Sequence, residues 1–257
     1  MGFETGALHG LKAAIIGAGA IGAAVAEALA QANAEVGITY GTNSTRAAEI
    51  VRTLSVHAPR VASVQCDVRD ADATWRALGQ LHSQLGGLDI VVSAIGARAS
   101  WKRLADLEPS EWNEYLSVDL SGTFHVFRAA VPLMRERGGA IVALSSIAAS
   151  MFQARNGQGA AAKAGVEALV RVLAREEGRN NIRVNAVAVG LTESPSTDEA
   201  FAKWGPDSAA RVVAGIPLKR IATPQDVANA VMFLVGPSGR YITGKVIAAD
   251  GGQYIGH

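Results

Sequence analysis

Short continuous apolar runs alternate with segments of helical period along almost the whole chain, and this alternation is what most restricts the fold. The runs fall at 11–16, 35–40, 61–66, 88–94, 140–144, 182–188 and 245–248. Between them, 20–31, 45–54, 70–85, 109–135, 156–178 and 224–235 read as helices. Strands that are apolar throughout are buried on both faces, which is the condition of a parallel sheet covered by helices. Right-handed crossovers then make the sheet doubly wound. The prediction is a single α/β domain spanning 1–257, with about seven parallel strands and helices on both faces. A length of 257 residues lies within the range of one α/β unit. No Pro/Ser-rich linker, low-complexity tract or fixed-period repeat divides it.

Charge and composition remove several function classes. A formal net charge of +1 lacks the basic footprint of a nucleic-acid binder. The single cysteine, Cys66, excludes an internal disulfide framework and a cysteine-rich zinc site. His9, His57, His82, His125 and His257 are scattered without H-x-x-x-H or H-E-x-x-H spacing, so no metal site is expected. No run approaches the ~18 apolar residues of a membrane span. Residues 1–10 are polar and carry no signal core, and Gly6 stands where a myristoylation signal wants Ser or Thr. A soluble, cytoplasmic protein acting on a small molecule is the expectation.

One connection is unusually long. Residues 189–216 hold Pro195, Trp204 and Pro206, and they follow the carboxyl end of a strand. Ligands of open α/β sheets bind at that edge, and long functional loops are often lids. The segment is therefore expected to cover a substrate.

The first chemical signal is Gly17-Ala18-Gly19-Ala20-Ile21-Gly22, a G-x-G-x-x-G between a strand and a helix. Gly17 permits the tight turn, Gly19 lets backbone approach a pyrophosphate, and Gly22 lets helix and strand pack closely. In that setting the motif predicts a Rossmann-like dinucleotide site. The end of the second strand bears on which nucleotide. NAD readers usually place an acid there to hold the ribose diol. Here Tyr40-Gly41 is followed by Thr42, Asn43, Ser44, Thr45 and Arg46, which offer hydroxyls, an amide and a cation but no acid. That composition suits a 2′-phosphate, so NADP(H) is favoured over NAD(H).

Further segments resemble the short-chain dehydrogenase/reductase family over essentially the entire length. Cys66-Asp67-Val68 is similar to the segment that holds the adenine through an Asp. Ser93-Ala94-Ile95-Gly96 stands at the family's Asn-Asn-Ala-Gly turn, and Leu144-Ser145-Ser146 where it keeps a catalytic serine. Ala162-Lys163-Ala164-Gly165 resembles the helix of the catalytic lysine. Asn181-Ile182-Arg183-Val184-Asn185, Tyr241-Ile242-Thr243-Gly244 and Asp250-Gly251-Gly252 complete the series. The resemblance implies a cofactor site formed by Gly17, Gly19, Ile21, Gly22, Thr42, Asn43, Ser44, Asp67, Val68, Ala94, Ile95, Gly96, Lys163, Val189, Gly190 and Thr192. It also implies a homotetramer built on the two long helices, with a dimer as the alternative.

Departures from the family pattern fall on the chemistry. The family uses Tyr-x-x-x-Lys on one helix, where the ammonium lowers the phenol's pKa so that it can pass a proton. Here the position four before Lys163 is Gly159, and 151–162 contains no tyrosine. The family's helix asparagine is replaced by Asp119, and its Pro-Gly after the sixth strand by Val189-Gly190. What survives is Lys163, expected to bond the nicotinamide ribose, and Ser146, expected to donate to a substrate oxygen. Ser145 should point to the other face of the strand. Replacement acids are Tyr115, one turn before Asp119, and Asp119 itself, which is also placed to orient Lys163. His125 reads as structural. Arg98, Trp101 and Trp204 are candidates for the substrate side. Losing a general acid costs about 10²–10⁴-fold unless something replaces it. Reduction of a conjugated C=C or of a protonated C=N demands less of an enzyme acid than ketone reduction does. An NADP-dependent reductase with altered proton delivery is the leading reading. A non-redox enzyme (cyclase, isomerase or dehydratase) and an inactive nucleotide-binding subunit stand beside it.

Overall fold

The computed structural model describes residues 8–255; Gly6, most of the polar start and His257 lie outside the described residues. Strand β1 (Lys12–Ile16) leads into α1 (Ala20–Gln31), followed by β2 (Glu35–Tyr40), α2 (Ser44–Leu54), β3 (Val61–Gln65) and α3 (Ala71–Leu85). Then come β4 (Ile90–Ser93), α4 (Pro109–Leu116), α5 (Gly122–Met134), β5 (Gly139–Ser146) and the short α6 (Ala148–Met151). The chain closes with α7 (Gly157–Glu177), β6 (Ile182–Val189), α8 (Pro195–Trp204), α9 (Pro206–Gly215), α10 (Pro224–Val235) and β7 (Val246–Ala249).

All seven strands form one parallel sheet in the order β3-β2-β1-β4-β5-β6-β7. Successive residues of a strand face opposite sides of the sheet, and both sides are apolar here. Ala13 and Ile15 pack with α1 and α10, whereas Ala14 and Ile16 pack with α3, α5 and α7. That is why the runs are apolar without alternation. Strand order reverses between β1 and β4, which pair with each other from Ala13–Ile90 to Ile16–Ser93. A crevice opens at the carboxyl ends of strands where the order reverses.

Three elements differ from the sequence reading. The helix expected over 109–135 is broken by a π-turn at Ser117–Ser121, which carries Asp119. Such turns insert one extra residue and cluster at functional sites. The connection 189–216 is not an irregular loop but holds α8 and α9, each opening on a proline at its first position. Proline there loses no hydrogen bond and its fixed φ suits a helix start, so Pro195 and Pro206 begin helices. The third is α6, which follows β5 without a signal in the sequence.

Candidate active site

At the end of β1 the glycines divide the work of holding the turn and of leaving it open. Gly17 has φ +104°, and a Cβ there would lie 2.8 Å from the Ala94 carbonyl oxygen. A Cβ on Gly22 would lie 1.9 Å from the Gly17 carbonyl oxygen. These two seat α1 directly against the ends of β1 and β4. Gly19, by contrast, has nothing within 4 Å of a Cβ. It caps α1 without a side-chain hydrogen bond, and no acid occupies the first turn. The amino end of α1 thus faces open space with unpaired N–H groups, an anion site by charge and by geometry.

From there a trough runs both ways along the carboxyl rim. One half, of about 560 Å³, is lined by Gly17, Thr42, Asp67, Val68 and the turn Ala94-Ile95-Gly96. The other, of about 340 Å³, is lined by Ile21, Gly22, Tyr115, Asp119, Ser146, Lys163, Val189, Gly190 and Thr192. Gly19, Ala94, Ile95 and Gly96 border both halves. The shape, the open glycine and the bare helix end fit a nicotinamide dinucleotide.

Not every expected cofactor residue faces this trough. Asn43 uses its Oδ1 to accept the Arg46 N–H at 3.0 Å, capping α2, and Ser44 is exposed in the first turn of that helix. Asp67 accepts from Arg69 through Nε at 2.9 Å and Nη2 at 2.6 Å, and Arg69 reaches Glu114 at 2.9 Å. Those bonds hold the Asp67 carboxyl below its ordinary pKa. The arginine beside Asp67, which sequence reasoning passed over, therefore shares that end of the trough. His125 Nδ1 lies 2.8 Å from the Val68 carbonyl oxygen and so anchors the same loop.

At the other end the period-2 alternation of β5 separates its two serines. Ser145 is buried and donates to Glu167 at 2.9 Å. Ser146 faces the trough, accepts the Ala148 N–H at 3.2 Å, and keeps its own O–H without an acceptor among the described residues.

Lys163 is only 6% exposed and Asp119 is fully buried. Lys163 Nζ pairs with Asp119 Oδ1 and donates to the carbonyls of Ile95 at 3.2 Å and Leu144 at 3.1 Å. Asp119 Oδ2 accepts the Ala97 N–H at 2.6 Å. Of the three donors of an ammonium, two go to these carbonyls, and the ion pair with Asp119 holds the charge. Lys163 also lines the trough, beside Ser146 and Gly190. In this arrangement it ties together the ends of β4 and β5, because the acid at 119 draws one donor inward.

Tyr115 stands beside this pair. Burial, with the charge of Asp119 second, pushes its phenol well above the ordinary value, so it is a weak acid that stays neutral. At Gly159 the space a larger side chain would enter holds the Asn156 amide, whose Oδ1 lies 2.3 Å from a Cβ built there.

Beyond Ser146 the trough meets a further cavity of about 200 Å³, lined by Arg98, Trp101, Tyr115, Asn156 and Lys203 among others. Helix α8 closes over it. Trp204 packs edge-on to Trp101 with centroids 5.0 Å apart, and Arg98 pairs with Glu199 at 3.0 Å. Asn156, Glu199 and Lys203 carried no motif, and nothing in their spacing marks them.

Residues 17–253 match the family model described as enoyl-(acyl carrier protein) reductase. The chain is 31% identical over 236 residues to the 3-oxoacyl-(acyl-carrier-protein) reductase FabG of Staphylococcus aureus strain N315, covering 91% of this chain and 94% of that protein. It is 33% identical over 258 residues to the versicolorin reductase stcU of Emericella nidulans, covering 96% and 97%. The crystal structure of a short-chain dehydrogenase/reductase from Brucella melitensis shares the fold at a TM-score of 0.88 and 28% identity, over 100% of both chains. With the parallel sheet, the glycine turn and these matches together, the chain belongs to the short-chain dehydrogenase/reductase family.

Proposed function

We propose that the protein is an NADP(H)-dependent reductase of a small organic substrate, acting on a conjugated C=C, a C=N or a carbonyl, with proton delivery that does not use the family's tyrosine. The observation that carries this reading is the open trough from the bare amino end of α1 to the Ser146 hydroxyl. Gly17, Gly19 and the α1 N–H groups would hold the pyrophosphate. Thr42, with Arg46 close behind and no acid in the first turn of α2, favours a 2′-phosphate. NADPH, when bound, supplies the hydride. Ser146 donates to the substrate oxygen, Tyr115 offers a neutral phenol, and α8 keeps water out. The S. aureus and E. nidulans relatives are named as reductases, which supports the same class. Assembly as a homotetramer through α5 and α7 belongs to this reading, since Phe124 and Val172 leave apolar surface on those helices.

NADPH fluorescence titration should show saturable binding, and 4-deuterated NADPH should leave deuterium in the product. Binding without deuterium transfer would turn the reading to a non-redox enzyme or an inactive nucleotide-binding subunit. The engaged donors of Lys163 and the glycine at 159 favour that second reading. Absence of nucleotide binding would remove the reductase and the nucleotide-binding subunit and leave a non-redox enzyme that works without cofactor.

A further inference from the structure

We propose that Asn156 is a substrate-binding residue, its carboxamide and the Ser146 hydroxyl together forming an oxyanion site for the oxygen of an α,β-unsaturated carbonyl compound. The inference deepens the reductase reading and rests on it.

Asn156 precedes the first turn of α7, where asparagine ordinarily caps a helix by accepting a backbone N–H. It makes no such bond here. It is 8% exposed; its Oδ1 is fully buried without a hydrogen-bond partner, and its Nδ2 donates to no group among the described residues. A buried carboxamide oxygen without a donor is costly, so the protein's own hydrogen bonds do not account for the position of this amide. Oδ1 is turned against Gly159, in the room a side chain at 159 would take. Nδ2 would lie 3.0 Å from a Cβ at 159, but unlike Oδ1 it is not both fully buried and unpaired, and it is the end left with access to the cavity that Asn156 shares with Ser146 and Tyr115. Ser146 brings a second free donor to the same cavity.

An amide N–H cannot give up its proton, and the Tyr115 phenol is held neutral by burial. Such donors stabilise charge on oxygen without protonating it. An alkoxide is a strong base that must be protonated as it forms. An enolate shares its charge with carbon and can wait. Hydride adds to the β carbon, the C=C electron pair becomes that of the enolate, and its oxygen takes hydrogen bonds from Asn156 Nδ2 and Ser146 Oγ. The α carbon then takes a proton from water, leaving the saturated carbonyl compound and oxidised dinucleotide.

The test uses 4-nitrophenol as an oxyanion probe on the intact protein, read by the absorbance of its phenolate. Wild type should bind the phenolate in preference to the phenol. Asn156→Leu, which keeps the volume, and Asn156→Ala should each bind it about tenfold or more weakly, the size of one hydrogen bond to a charged oxygen, with NADPH titration unchanged. Turnover of cyclohex-2-enone to cyclohexanone should fall about 10²–10³-fold in the same variants. Phenolate binding that is absent in wild type, or equal in wild type and a folded variant, overturns the assignment. Phenolate binding lost in the variants of a protein that binds no NADPH would keep the oxyanion site and overturn only the redox reading.

Discussion

Asp119 and Lys163 illustrate how one substitution redirects its neighbour. A carboxylate and an ammonium buried together are tolerable only as a bonded pair, and removing one member leaves a buried charge uncompensated. Lys163→Ala is therefore expected to cost about 3–5 kcal/mol of stability, read as a lower midpoint in urea unfolding. Asp119→Asn keeps an oxygen for the Ala97 N–H and removes the charge that draws Lys163 inward. It leaves the ammonium without its counter-charge, so it too should lose stability, and NADPH should bind more tightly as a lysine donor turns toward the trough. Wild-type stability in both variants would contradict the pairing described. The absence of a tyrosine at 159 could be read from the chain directly. That Asn156 stands in its place could not, because the contact depends on the turn between α6 and α7.

Among the elements, the β1–α1 turn separates packing from binding. Gly22→Ala places a methyl group against backbone that cannot move aside, and overpacking of this kind costs about 1–3 kcal/mol. Gly19→Ala meets open space, with a φ of −70° that any residue adopts. Its stability should stay within about 0.5 kcal/mol of wild type, while NADPH affinity drops because the methyl group occupies the approach to the N–H groups of α1. Thermal unfolding and fluorescence titration on the two variants separate these effects. Equal loss of melting temperature in both would refute the division. Most strands and helices were legible from periodicity. The π-turn at Ser117–Ser121 was not, since its extra residue leaves the spacing of apolar residues nearly unchanged. Helices α8 and α9 were hidden because Pro195 and Pro206, read in isolation, suggest loops.

For the whole molecule, the exposed residues of α5 and α7 bear on assembly. Val172 is 54% exposed and Phe124 48% exposed, on helices whose other faces are in the core. A charged side chain in an apolar interface loses its hydration without gaining a partner. Val172→Glu should convert a tetramer to smaller species in sedimentation velocity at unchanged helix content. An unaltered sedimentation coefficient would refute a tetramer built on these two helices.

The order of apolar runs, the glycine turn and the missing phenol belong to the chain alone, because periodicity and residue identity are local properties. From them follow the doubly wound sheet, the nucleotide cradle and the departure from the family's proton donor. Which donors remain free was decided only by tertiary structure. Lys163 donates to a carbonyl 68 residues away, Arg69 is shared between Asp67 and Glu114, and Asn156 meets Ser146 across a cavity. Such partnerships are set by how distant segments converge on the sheet's rim, and hydrogen bonds form between whatever groups the packing brings within reach.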